Sequence, residues 1–129
     1  MPASATASPG IERAHQRIER DYAGSLSVEA LARTAGCSTS HFIRTFCRAY
    51  GMTPARWLRR RRLERARELL TSTPVPVTEI CDAVGYASLG TFSREFRRET
   101  GESPTTYRRR TRRPVYVPGC FLRMYRVDG

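Results

Sequence analysis

Hydrophobic positions in this chain recur at helical intervals, interrupted by glycine and proline. Ile11, Ala14, Ile18 and Tyr22 mark a first helix over about 11–22, which Gly24 closes. Ser27 caps a second over 28–35, with Leu26, Ala30, Leu31 and Thr34 as its inner face. Its capping box is incomplete, because position 30 is alanine and the acid is Glu29. Gly36 supplies a sharp turn, and Ser38 or Thr39 then starts a longer helix to about Tyr50, ended by Gly51. Thr53-Pro54 opens a helix from Ala55 to about Leu70, with Leu58, Leu63, Ala66, Leu69 and Leu70 along one stripe. Arg62 falls inside that stripe, so its stem must pack and its guanidinium must find a carboxylate or backbone oxygens, a structural role. Pro74-Val75-Pro76 breaks the pattern.

The second half of the chain repeats the first. Shifted by 50 positions, Ser38, Phe42, Arg44, Phe46, Arg48, Gly51, Pro54 and Arg59 fall on Ser88, Phe92, Arg94, Phe96, Arg98, Gly101, Pro104 and Arg109, and Trp57 falls on Tyr107. A short helix over about 77–84, a turn through Gly85, Tyr86 and Ala87, a helix over about 89–100, and a last one from Pro104 to about Arg110 complete the second copy. Its turn is one residue longer than the first. A repeat of this length holds one supersecondary unit. The expected organisation is therefore all-α: a disordered 1–10, a first unit over 11–54, a linker helix over 55–73, a second unit over 74–113 and a tail over 114–129. The tail has an apolar run, Cys120, Phe121, Leu122, Met124 and Tyr125, and reads as an extended segment or a contact site.

A smaller helix, a tight turn and a longer helix with outward arginines make a helix-turn-helix, whose partner is double-stranded DNA. With Phe42, Phe46 and Ala49 inward, the opposite side of the helix over 39–50 carries Ser40, Ile43, Arg44 and Cys47, with His41 and Arg48 at the margin. With Phe92 and Phe96 inward, the helix over 89–100 turns out Gly90, Ser93, Arg94 and Arg97, flanked by Thr91 and Arg98. The candidate base readers are accordingly Ser40, Ile43, Arg44, Cys47, Gly90, Thr91, Arg94 and Arg97. Arg44 and Arg94 occupy equivalent central positions, each long enough to reach the O6/N7 edge of guanine. Ser38, His41, Arg48, Arg59, Ser88, Arg98, Arg108 and Arg109, with Arg110 beside them, lie nearer the ends of elements and are the candidate phosphate contacts. One charged helix face alone is usually just solvated; two matched faces argue for a ligand.

Charge agrees with this reading. The chain of 129 residues carries a formal net charge of +11, and all 23 of its basic residues are arginines. Such a field attracts polyanions in a salt-dependent way. The absence of lysine has a plainer source, a genome rich in G and C, and the two explanations are compatible. The length leaves no room for a separate catalytic domain, and no acid pair or nucleophile and base can be assembled, so no enzyme is expected. Cys37, Cys47, Cys81 and Cys120 form no C-x-x-C pair and have no histidine at ligand spacing, so neither metal nor cofactor is expected; they read as reduced thiols, with Cys37 a lesser redox candidate. No apolar run spans a bilayer and no leader is evident, so the chain reads as soluble and intracellular.

These residues resemble the DNA-binding domain of the AraC/XylS family of bacterial transcription regulators, over about 11–113. The resemblance rests on Leu31-Ala32, Gly36-Cys37-Ser38, Phe42, Arg44, Phe46 and Gly51-Met52-Thr53-Pro54, on Arg62-Leu63 with Ala66 and Leu69-Leu70, and on Ile80 to Tyr86 leading into Phe92 to Phe96 and Gly101 to Pro104. It implies seven helices, two helix-turn-helix subdomains joined by a long helix, and two recognition helices, over about 39–50 and 89–100, entering successive major grooves. It further implies a sequence-specific transcription regulator, an activator as most of the family are, cytoplasmic and nucleoid-associated, acting on DNA as a monomer, with RNA polymerase as a further partner and a small-molecule effector left open. Ile43, Leu89 and Gly90 stand where the family often has polar base readers, so the second helix is expected to rely on Thr91, Arg94 and phosphate contacts. An alternative from a different class is a protein-binding adaptor that uses its helices and apolar tail.

Overall fold

The computed structural model describes residues 8–112, which form seven helices and no strand. The expectations for 1–7 and 113–129, including the tail and Cys120, lie outside the described residues. Two compact units divide after Arg62.

In the first unit, α1 (Pro9–Asp21), α2 (Val28–Ala35), α3 (Thr39–Tyr50) and the start of α4 (Pro54–Ser72) surround one core. The chain enters α1 earlier than the apolar spacing predicts. Ser8 caps the helix by accepting from the amide of Ile11 at 3.3 Å, and Pro9 takes the first turn, so residues 8–10 belong to the fold rather than to a disordered end. Gly10 is required there, because a Cβ would collide with the carbonyl oxygen of Ala35. Gly36, at φ 78°, makes the left-handed turn between α2 and α3. Ser27 and Ser38 cap α2 and α3 through the amides of Ala30 and His41.

The core these elements bury consists of Ile11, Ala14, Ile18, Leu31, Ala32, Phe42, Phe46, Ala49 and Leu58. On α2 the inner face turns one position from the expected one: Ala32 is buried, while Leu26, Ala30 and Thr34 are half-buried. Phe46 meets Tyr50 at a ring distance of 4.7 Å and Trp57 edge-on at 6.0 Å. Across the rim, Glu19 accepts from Trp57 Nε1 at 3.1 Å and from Arg61 Nε at 3.0 Å, which fastens α4 to α1. Arg62 donates through Nε to the carbonyl of Tyr22 at 2.6 Å and through Nη2 to that of Gly24 at 2.9 Å. Tyr22 caps the end of α1, and the Gly24 carbonyl, in the loop beyond it, also accepts from the Leu26 amide, so the guanidinium ties α4 to the segment that leaves α1.

The second unit repeats the plan with the latter part of α4, α5 (Val77–Ala83), α6 (Leu89–Thr100) and α7 (Pro104–Thr111). Its core is Leu63, Ala66, Leu70, Ile80, Cys81, Val84, Tyr86, Phe92 and Phe96, with Leu69 at the edge. Thus α4 is more than a linker, since its first half closes one core and its second half opens the other. Ser88 caps α6 through the amide of Thr91, and Ser103 caps α7 through that of Thr106. Tyr107 meets Phe96 edge-on at 5.3 Å, as Trp57 meets Phe46. Burial, and then Asp82 nearby, pushes the Cys81 thiol up, consistent with a small packing group. Tyr86 donates its phenol proton to Glu95 Oε1 at 2.7 Å, which pins the turn before α6 to α6 itself.

Candidate nucleic-acid interface

Each long helix is held by its phenylalanines. Phe42, Phe46, Phe92 and Phe96 are all fully buried, and that fixes which side of α3 and α6 faces water. On α3, Ser40, Arg44 and Cys47 are exposed and Ile43 is half-buried, with His41 and Arg48 exposed beside them. On α6, Gly90, Arg94, Arg97 and Arg98 are exposed and Thr91 is half-buried. The sequence-predicted readers thus gather on one face within each unit.

Their electrostatic state is the informative part. Carboxylate partners are taken by Arg17, Arg20, Arg61, Arg65 and Arg110. Among the described residues, the guanidinium groups of Arg44, Arg48, Arg94, Arg97 and Arg98 have no hydrogen-bond or ion-pair partner. Each unit therefore carries a helix whose outward arginines are not neutralised from within, and Arg13, Arg33, Arg56, Arg59, Arg60 and Arg109 on other helices are likewise without side-chain partners among the described residues. Such unspent forks suit phosphate and guanine.

The turns add further donors. The hydroxyls of Ser38 and Ser88 accept from backbone amides at 3.2 Å and each keeps its own proton to donate. Both stand at helix starts, where unpaired amides and the helix dipole favour an anion. Arg59, half-buried on α4, and Arg109, exposed on α7, remain open to a phosphate.

Arg108 requires a correction. Expected at a phosphate, it points inward, with Nε 3.2 Å from the carbonyl of Leu70 and Nη2 2.9 Å from that of Thr73. It closes α4 as Arg62 closes α1, so its guanidinium is a structural tie. The repeat itself held the signal, because a shift of 50 positions places Arg108 on Leu58, a core residue. Beside it, Arg110 pairs with Glu102 at 2.6 Å and lies 5.4 Å from the Tyr107 ring centre; this hydrogen bond holds the Glu102 carboxyl below its usual range. His15 is half-buried and stacked on Tyr50 at a ring distance of 4.6 Å.

No helix among the described residues is long and apolar enough to cross a membrane. Among them, no three His, Cys, Asp or Glu side chains gather where a metal ion would be held.

Comparison with known proteins places this geometry in company. A family model described as a helix-turn-helix domain matches residues 31–110. The regulatory protein SoxS of Salmonella typhimurium is 36% identical over 85 residues, covering 66% of this chain and 79% of SoxS. Three other curated relatives are much longer, and the chain spans 36%, 30% and 30% of their lengths. Among solved structures, the C-terminal domain of AraT, a response regulator from Geobacillus stearothermophilus, superposes with a TM-score of 0.81 at 33% identity, covering 87% of this chain and 93% of that one. The DNA-binding domain of AdpA, a global transcriptional factor solved with a target DNA, gives 0.73 at 31% identity, covering 81% and 93%.

Proposed function

The chain belongs to the AraC/XylS family of helix-turn-helix proteins, and from that premise we propose that it is a sequence-specific double-stranded DNA-binding transcription regulator, an activator, with α3 and α6 as its recognition helices. The observation that carries the proposal is the pair of outward arginine faces left without internal partners, on helices whose inner faces are locked by paired phenylalanines. In this reading Arg44 and Arg94 read guanine, helped by Ser40, Ile43 and Cys47 on α3 and by Gly90, Thr91 and Arg97 on α6. Ser38, His41, Arg48, Arg59, Ser88, Arg98 and Arg109 set register on the phosphates. The duplication favours two successive major grooves, occupied by a monomer. Activation would bring RNA polymerase as a second partner, at the nucleoid in the cytoplasm. No catalytic group is assigned. SoxS and AdpA support the reading by their descriptions, as a regulatory protein and as a DNA-bound transcriptional factor.

Selection of bound sequences from a random duplex library, followed by salt titration of the selected site, tests this. The four phosphate-facing arginines predict a slope of log K against log salt of about −4. Any basic chain gives some slope, so the selected site must also outcompete random duplex by about a thousandfold or more. An adaptor with incidental charge would enrich no site, and that result would overturn the proposal.

A further inference from the structure

The first turn of α6 differs from that of α3. Where α3 opens with Thr39 and Ser40, the same register in α6 holds Leu89 and Gly90. Leu89 is 43% exposed, the one large hydrophobic side chain so exposed among the described residues. Gly90 has no internal reason to be glycine. It is helical, and a Cβ added there would meet only Ser88 Oγ at 3.6 Å, an ordinary contact. Alanine would serve the helix better. Gly90 nevertheless stands four and seven residues before Arg94 and Arg97, on the outward side of α6.

We propose that Leu89 and Gly90 form an apolar step that seats the 5-methyl group of a thymine in the major groove. The inference rests on α6 being a recognition helix. The residues at the start of such a helix are those that meet base edges. The missing side chain at Gly90 lets the backbone approach the groove floor, and Leu89 beside it offers hydrocarbon. Of the groups a base pair shows in the major groove, only the thymine methyl is apolar. Arg94, Arg97 and Arg98 supply the surrounding positive charge that brings a nucleic acid, rather than an apolar protein surface, to this patch.

The test uses the full chain and sites selected from a random duplex library. The α6 half of the site should retain thymine at one fixed position. Replacing that thymine by uracil removes the methyl alone and should weaken binding about fourfold. In Leu89→Ala the same replacement should change nothing further. Gly90→Ala should weaken the selected site while its melting temperature stays level or rises. A wild-type chain indifferent to uracil, or a Leu89→Ala variant as sensitive to it as wild type, overturns the inference while leaving DNA recognition intact. Failure to enrich any site would instead remove the premise, and the inference with it.

Discussion

Phe46→Ala is expected to destabilise the chain by about 3–5 kcal/mol. A small domain has only about 5–15 kcal/mol of stability in total. The size of the effect comes from position. Phe46 is fully buried and touches three other aromatic rings, those of Phe42, Tyr50 and Trp57, at 5.7, 4.7 and 6.0 Å. Backbone on both sides is committed to helix, so the cavity left by the ring has little room to collapse. Phe96→Ala should behave alike, since that ring is fully buried against Phe92 and Tyr107. Urea unfolding followed by helical circular dichroism measures both. A loss below about 1 kcal/mol in either variant would mean that the paired phenylalanines do not set the outward faces of α3 and α6.

Arg44→Ala should leave the melting temperature unchanged and weaken the selected site about 5- to 150-fold, the range of one bidentate arginine–guanine contact. Affinity for random duplex should fall by only a few fold, because one positive charge among many is lost. The ratio of the two losses is the informative quantity. Arg44 is exposed and has no partner among the described residues, so its removal leaves no orphaned group inside the protein. Arg94→Ala should show the same asymmetry on the other half of the site. Equal losses on selected and random duplex would turn both residues into phosphate contacts and leave base reading without its central pair.

Most of the fold is legible because its punctuation is local. Ser27, Ser38, Ser88 and Ser103 each accept from an amide three residues on, and Gly36, Gly51 and Gly101 each end a helix in the left-handed region. Caps of this kind are read from single residues and need no tertiary information. The start of α1 is hidden because Ser8 and Pro9 sit in a run of small residues with no apolar period, although serine before proline is itself a start signal. Ala32 and the ties made by Glu19, Arg62 and Arg108 depend on how helices cross, which periodicity along one helix does not contain. For Arg62 the wheel is enough, since it falls within an apolar stripe. For Arg108 the short helix α7 offers no stripe, and only its alignment with Leu58 marks the position as inward.

The same division holds for the interface. Which residues of α3 and α6 face outward is decided by the phenylalanine pairs, and the structure places them there. Which of them touch bases is not, because exposure is common to readers and phosphate contacts alike. Chemistry separates the classes only in part: an arginine near the middle of the outward face can enter a groove, whereas one at a helix end meets the backbone that borders it. The apolar first turn of α6, Leu89 and Gly90 where α3 has Thr39 and Ser40, is a clear departure from symmetry between the two copies.

Protection mapping on the selected duplex tests recognition by two helices most directly. Two protected stretches are predicted on one face of the DNA, centred about one helical turn apart, near 10 base pairs. One short protected stretch, or none, would contradict it.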